Sequence, residues 1–456
     1  MLQPTELNFA RPAAPHYLPA GVCVELPHGQ LLGAANARVK LTFKHWSSMA
    51  RFKAGQVGAL AEDYVEGKLQ LDGAMRDVMQ AVKSLLGGKP ITSGNGWWSG
   101  WLHRAKSLAA HTPDNDAAQV QFHYDVSDAF FALWLDPLRV YSCAYYPDLN
   151  DATISIELAQ QAKLDHICRK LQLQPGERFL DIGSGWGGLL LWAAEHYGVD
   201  ATGITLSKNQ HAHVQQLIFE KNLHHRVRVA LCDYRDMDTG AGSRALAFDK
   251  IASVGMFEHV GQANMTAYFS KIMALLKPGG LVMNHGITAG GISNRQLGAG
   301  MGDFIEKYIF PGGELLHVSA MTEHLARSGL ELLDLENLRP HYARTLWDWS
   351  STLEQRLEEA RSVLNIGSTP ANAEKILRAY RLYLAGSAMS FEQGWLSLHQ
   401  LLAMRPISDA EAEAAVDAAH STAPFETIKP AAHGVATNQT AYPFNRSYMY
   451  RTNSCH

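Results

Sequence analysis

The chain has 456 residues, of which 46% are hydrophobic and 18% charged, and a net charge of −4. That size suits two or three globular domains, and the slightly acidic balance offers nucleic acid no overall attraction. Five scattered cysteines without a CxxC pair argue against a disulfide framework or a zinc site, and no stretch approaches the ~18 uninterrupted apolar residues of a spanning helix.

The N-terminus lacks a basic segment followed by an apolar run, so the expected location is the cytoplasm. Residues 1–20 are rich in Pro and Ala and are expected to be loose. Residues 21–90 read as a small α+β domain. Val22-Cys-Val-Glu-Leu26 and Arg38-Val-Lys-Leu-Thr-Phe43 have the short alternation of strands. Residues 46–86 read as helical, with Met75, Val78, Met79, Val82 and Leu86 forming a packing stripe. Residues 91–118 read as a linker, preceded by the breaker Gly87-Gly-Lys-Pro90. Within it Trp97, Trp98 and Trp101 stand beside Arg104 and Lys106. Such a cluster suits a bilayer interface, and it equally suits packing between domains.

A larger domain is expected over residues 119–404. It opens with the aromatic segments Gln121–Phe131 and Val140–Tyr146, which read as a lid over a ligand, and a helix over 157–172. The stretch Phe179-Leu-Asp-Ile-Gly-Ser-Gly-Trp-Gly-Gly188 then reads as strand, glycine turn and helix start. Glycines at 183, 185 and 187 permit positive φ and close approach of a ligand to the backbone. This is the nucleotide site of a doubly wound sheet. No carboxylate follows at the end of the next strand, as a dinucleotide ribose would require, and no Lys-Ser/Thr pair follows, as a P-loop would. Asp181 inside the turn suits a ligand with an amine or a positive charge, and S-adenosylmethionine has both.

Further strands fit 199–205, 227–232, 248–254, 280–285, 330–337 and 396–403. Helices fit Gln262–Leu276, 344–364 and 370–393, the first stopped by Pro278-Gly-Gly280. The expected fold class is α/β, a doubly wound, mostly parallel sheet with the small α+β domain in front. Residues 405–456 are expected to be a poorly ordered tail.

His123-Tyr-Asp125, Tyr141-Ser-Cys-Ala-Tyr145, Leu206-Ser-Lys-Asn-Gln210, Phe257-Glu-His259, Lys307-Tyr-Ile-Phe-Pro311 and His341-Tyr-Ala-Arg-Thr-Leu346 occur in that order. In this combination the chain resembles the cyclopropane-fatty-acyl-phospholipid synthase family, which includes the mycolic acid cyclopropane synthases. The resemblance runs from about Phe122 to Met404, and residues 21–90, with the segment Glu62–Gly73, look like the N-terminal domain of longer members. It implies the class I S-adenosylmethionine methyltransferase fold. It also implies a cofactor site of Tyr141, Ser142, Asp181, Gly183, Gly185, Gly187, Thr205, Leu206, Gln210, Asp233 and Tyr234. By the same match, Cys143, Glu258, His285, the backbone of Ile287, and Tyr342 would hold a bicarbonate ion beside the methyl group. Where some members carry a cysteine in the C-terminal helix, this chain has Ser387.

The resemblance implies methylene transfer to the cis double bond of unsaturated phospholipid acyl chains at the membrane surface, forming cyclopropane chains. An alkene is a weak nucleophile, and methylation leaves a carbocation, so a dry pocket with aromatic faces is expected. Phe130, Phe131, Tyr145, Tyr268 and Tyr308 are candidates for those faces. Bicarbonate would then remove a proton so that the ring closes. Three alternatives stay open: methyl transfer without ring closure, N-methylation of a small amine, and a lipid-binding protein without catalysis. A homodimer is left open, and no nucleic-acid partner is expected.

Overall fold

The computed structural model describes residues 18–19, 21–85, 128–238, 247–292, 308, 315–366, 368–409, 411, 413 and 446–450. The tryptophan cluster at Trp97, Trp98 and Trp101, the His123-Tyr-Asp segment, Lys307 with 309–311, and most of the tail lie outside them.

The N-terminal part comprises β1 (Val22–Glu25), β2 (Leu31–Leu32), β3 (Val39–Phe43), α1 (Trp46–Lys53), α2 (Val57–Val65), β4 (Leu69–Asp72) and α3 (Met75–Leu85). Its four strands form a sheet in the order β2-β1-β3-β4. The remainder comprises α4 (Asp128–Ala132), α5 (Ile156–Lys170), β5 (Arg178–Ile182), α6 (Gly188–Tyr197), β6 (Asp200–Thr205), α7 (Lys208–Glu220) and β7 (Val227–Leu231). It continues with β8 (Phe248–Val254), α8 (Met265–Leu275), β9 (Leu276–Ala289), α9 (Val318–Arg327), β10 (Glu331–Asn337), α10 (Arg339–Gln355), α11 (Leu357–Leu364), α12 (Pro370–Glu392) and β11 (Leu396–Met404).

The second sheet has seven strands in the order β10-β11-β9-β8-β5-β6-β7. Strands β9, β8, β5, β6 and β7 are parallel, and β11 runs antiparallel between β9 and β10. Alternation along β5 decides which helices cover which face. Phe179 packs with Leu164 and Ile167 of α5, Leu190 of α6 and Val214 of α7. Leu180 and Ile182 pack on the other face with Phe269 and Ile272 of α8 and Met321 and Leu325 of α9. This is the doubly wound sheet expected from the sequence.

Helix starts follow local chemistry. Ser155 caps α5, Ser207 caps α7 and Thr369 caps α12, each accepting a backbone N–H of the first turn. Three elements differ from the sequence expectation. The stretch 46–86 is broken by β4, whose residues Leu69 and Leu71 alternate with polar ones opposite β3. Helix α8 ends at Leu275, and Pro278 lies inside β9. The ladder with β8 shifts register between Phe248 and Lys250, and there the missing proline N–H costs no strand bond. The span 344–364 is two helices, because Arg356 leaves the helical region at φ −123°.

One hydrophobic core joins the small sheet to the last helices, with Phe43, Val65 and Met79 on one side and Leu377, Tyr380 and Leu384 on the other. Polar bonds tie the same surfaces. Arg381 donates to Tyr64 Oη at 2.8 Å and to both oxygens of Glu354 at 2.6 and 2.8 Å. Arg378 donates to the Tyr64 carbonyl at 3.0 Å. At the chain's end, Arg446 donates to Asp334 at 2.6 Å, Tyr450 donates to Glu336 at 3.1 Å, and Met449 is buried.

Leu377 is fully buried in α12 at this junction. Leu377→Ala should cost about 2–5 kcal/mol through lost burial and the cavity left behind. Denaturant unfolding measures the loss, and a value under about 1 kcal/mol would show that the two parts do not share a core.

Candidate active site

The lid has no regular structure between α4 and α5, so its buried backbone groups need side-chain partners. Asp136 accepts from Leu138 N and Val140 N at 3.0 and 2.9 Å. Gln160 of α5 donates to the carbonyls of Val140 and Ser142 at 3.2 and 2.9 Å. From α10, Thr345 Oγ1 accepts from Ala144 N and His341 Nδ1 accepts from Tyr146 N, both at 3.0 Å.

Beneath the lid a cavity opens at the C-terminal ends of β5, β6 and β8, the edge where such sheets bind ligands. Tyr141, Ser142, Asp181, Gly183, Gly185, Thr205, Leu206, Gln210, Asp233 and Tyr234 all line it. Gly187 does not. Its φ of 85° forms the N-cap of α6, and a Cβ there would press on Val214 at 3.0 Å. Gly183 also has positive φ, and a Cβ would meet Met256 Cγ at 2.5 Å. Gly185 is different: at φ 53° its nearest Cβ neighbour would be a backbone oxygen 4.0 Å away, so the space above it belongs to the cavity.

Thr205 Oγ1 donates to Gln210 Oε1 at 2.8 Å, fixing the amide at the cavity wall. Arg235 binds the Asp233 carboxylate through Nε at 2.9 Å and through Nη2 at 2.6 Å, an arrangement the sequence did not suggest. Burial pushes the Asp181 carboxyl up to about 7, against the opposing pull of Lys163.

Cys143, Glu258, His285, Ile287 and Tyr342 do not line this cavity; they lie beside it, around the ends of β9 and β11. Glu258 is flanked by Met256, His259 and Val260, which do line it. Its Oε1 accepts from Ile287 N at 2.7 Å, so the amide expected to meet an anion is already taken. Burial pushes the Glu258 carboxyl up to about 7, and its Oε2 is buried without a protein partner. A Cβ on Gly286 would come within 2.9 Å of Glu258, so the neighbouring His285 side chain leaves from the opposite face of β9. There the Gln400 amide donates to His285 Nδ1 at 3.1 Å, which leaves the ring proton on Nε2, an atom with no partner.

Ile287 pairs with Leu398, whose carbonyl accepts from Leu338 N. The Leu338 carbonyl in turn accepts from Tyr342 N, and Cys143 Sγ lies 3.9 Å from it. Burial raises the Cys143 thiol pKa well above its usual value, so it stays a neutral thiol.

The aromatic expectations divide. Phe131 packs against Tyr141 at 5.4 Å and Phe130 against Tyr380 at 5.1 Å, beside Trp134 and Trp349. Tyr145 instead stacks between His166 and His341, and Tyr268 is tied to Ser253 Oγ at 2.6 Å. Sequence reading missed Trp134, Trp349, Tyr380 and Lys163. Lys163 is buried, lines the cavity and donates to Ser142 Oγ at 2.8 Å. Its signal was present: Gln160, Lys163 and Lys170 fall at helical spacing with Leu164 and Ile167, on the buried side of α5.

Residues 111–401 match the family model described as mycolic acid cyclopropane synthetase. The chain belongs to that family.

Among curated relatives of the family, a probable fatty acid methyltransferase of Pseudomonas putida is 42% identical over 350 residues, covering 77% of this chain and 83% of that protein. Cyclopropane mycolic acid synthase 1 of Mycobacterium tuberculosis is 37% identical over 293 residues, covering 62% of this chain and 95% of that one. Among solved structures, the family member CmaA1, complexed with SAH and CTAB, is 36% identical with a TM-score of 0.56 and covers 63% of this chain and 98% of its own. Coclaurine N-methyltransferase, at 20% identity and a TM-score of 0.58 over 77% of this chain and 99% of that one, shares the fold.

As a member of this family the protein is an S-adenosylmethionine-dependent methyltransferase, and the cavity suits that cofactor. The open space above Gly185 admits a ligand against the backbone, and Asp181 lies where an ammonium or sulfonium would offset its burial. Gly185→Val should leave a folded protein, because a side chain there meets empty space. It should weaken S-adenosylhomocysteine binding by more than about 100-fold by filling the ligand's place and straining a left-handed backbone. Calorimetry beside a melting curve checks both halves.

Proposed function

We propose that this enzyme methylates the cis double bond of unsaturated acyl chains in membrane phospholipids and closes a cyclopropane ring, with bicarbonate as base. The observation that carries the reading is Glu258: buried beside the cofactor cavity, one oxygen fixed by Ile287 and the other without a partner. That open oxygen is an acceptor and suits a small anion that carries a hydroxyl; His285 Nε2, also buried without a partner, leaves β9 from the other face. A buried anion without such partners would be expelled by its desolvation cost.

Bound S-adenosylmethionine supplies an electrophilic methyl group, and bicarbonate supplies a compact anionic base. The alkene π pair would form the new C–C bond to that methyl as its S–C bond breaks, the electron pair going to sulfur and S-adenosylhomocysteine leaving, with a carbocation left on the adjacent acyl carbon. The ring closes when the new methyl loses a proton and its C–H pair bonds to that carbon. Glu258 holds the base through its free oxygen and, when ionised, raises its basicity. Phe131, Trp134 and Trp349 pack as a dry aromatic cluster against Tyr141, which lines the cavity, and an aromatic face turned to the cation would be worth about 0.5–2 kcal/mol. The neutral Cys143 thiol adds no competing nucleophile. A methyl branch without ring closure is the second reading, favoured by the name of the 42% identical Pseudomonas relative.

Glu258→Gln keeps the shape and removes the charge. Turnover should fall by at least about 100-fold while cofactor affinity changes less than about threefold. Turnover of the native enzyme should rise as pH passes through about 7, where Glu258 ionises, and the variant should lack that limb. Mass spectrometry of lipids from expressing cells tests the product. A gain of one CH2 on unsaturated chains supports both lipid readings, NMR separates ring from branch, and unaltered lipids overturn both.

The double bond lies within a bilayer, so the enzyme is proposed to work at the membrane surface. Trp97→Ala with Trp98→Ala should reduce co-sedimentation with anionic vesicles and leave the melting temperature unchanged. A stable double variant that still binds vesicles would remove this cluster as the anchor.

A further inference from the structure

Lys163 is 1% exposed, on the helix face that packs under the lid, and it lines the cofactor cavity. An ammonium has three hydrogens to donate. One goes to Ser142 Oγ at 2.8 Å. No carboxylate forms an ion pair with it among the described residues. Asp136, the nearest candidate by charge, spends one oxygen on Leu138 N and the other on Val140 N. Asp181 also lines the cavity, and its carboxylate has no hydrogen bond or ion pair among the described residues. The cavity thus holds a buried cation and a buried anion that feel each other's charge without touching. Burial lowers the lysine to about 8 and raises the aspartate to about 7, each against the pull of neighbouring charges. Each is costly to keep charged until an opposite charge arrives.

We propose that Lys163 is a cofactor-binding residue whose ammonium, aimed by Ser142, takes the carboxylate of the cofactor's methionine end, while Asp181 takes the ammonium of the same zwitterion. The assignment rests on the S-adenosylmethionine reading of the cavity. It explains why a lysine is buried on the packing face of a helix where an apolar residue would pack at less cost. It also lets Gln160 and Lys163, one turn apart on α5, act together on one residue. The first fixes the backbone carbonyl of Ser142 and the second its hydroxyl.

Two ligands separate this role from a structural one: S-adenosylmethionine and its decarboxylated form, which differ only in the carboxylate. By calorimetry, the native enzyme should bind the carboxylate form about 10- to 100-fold more tightly, the range of a charge-assisted hydrogen bond. Lys163→Met should lose that preference while binding the decarboxylated ligand nearly as well as the native enzyme, and Lys163→Arg should keep part of it. Equal weakening of both ligands by Lys163→Met would overturn the assignment, since a packing role does not read the carboxylate. A native enzyme that binds both forms alike overturns it without any variant, should Lys163→Met not fold. Failure of the native enzyme to bind either ligand would instead overturn the cofactor reading itself.

Discussion

The two hydrogen bonds from Gln160 to the carbonyls of Val140 and Ser142 are what the active site hangs on. The lid is an irregular segment whose residues Trp134–Asp136, Val140, Cys143, Ala144 and Tyr146 are buried, and an unpaired buried backbone group costs about as much as a lost hydrogen bond. Neither a helix nor a sheet is available to pair it. Side chains of α5 and α10 therefore do so: Gln160 from one helix, Thr345 and His341 from the other. The position of the lid over the cofactor cavity is fixed by how those two helices pack on the sheet. A small rotation of either would break several bonds together, so the lid is coupled to the core rather than free to flap.

The same packing separates two kinds of site. The cavity at the ends of β5, β6 and β8 is shaped by backbone, with Gly185 where the ligand must approach and Thr205 and Gln210 bonded to each other at the wall. The neighbouring group at the ends of β9 and β11 is shaped by side chains with atoms left over. Glu258 and His285 each make one bond and keep one buried atom open. Buried polar atoms without partners are uncommon in native proteins, and those that persist call for a reason. The open oxygen of Glu258, beside the cofactor cavity, is the one that the proposed chemistry would use.

The sequence showed the central motif plainly, because strand, glycine turn and helix each have a local signature. Phe179–Ile182 and the following helix were legible to within one or two residues. So were the strands at β6, β8 and β11, whose apolar runs stop at polar or glycine positions. Legibility failed where the deciding partner is distant in the chain. Leu69–Asp72 is too short to announce a strand, and it is one only because β3 lies alongside. Pro278 reads as a stop, but a shifted ladder absorbs it. Nothing near Asp233 says that Arg235 will fold back on it. Lysine at position 163 shares its helical spacing with Leu164 and Ile167, but only the packing of α5 under the lid shows that it reaches the cavity. Which residues face the cavity was carried by motif, whereas the split of Glu258 and His285 to opposite faces of β9 follows only from the three-dimensional strand.

The place of β11 has a bearing on how the chain can be made. Among the described residues it is the last strand in sequence but an interior strand in space, inserted between β9 and β10. A nascent chain that has emerged through residue 395 carries β9 with an open edge and β10 with no neighbour at all. Lys170 and His166 of α5 also wait for a distant partner, since Glu336 sits on β10. Parallel pairs and distant partners close slowly, and open edges invite pairing with other chains. Until its interior strand is in place, this sheet therefore keeps the edges of β9 and β10 open to mispairing with each other or with other chains.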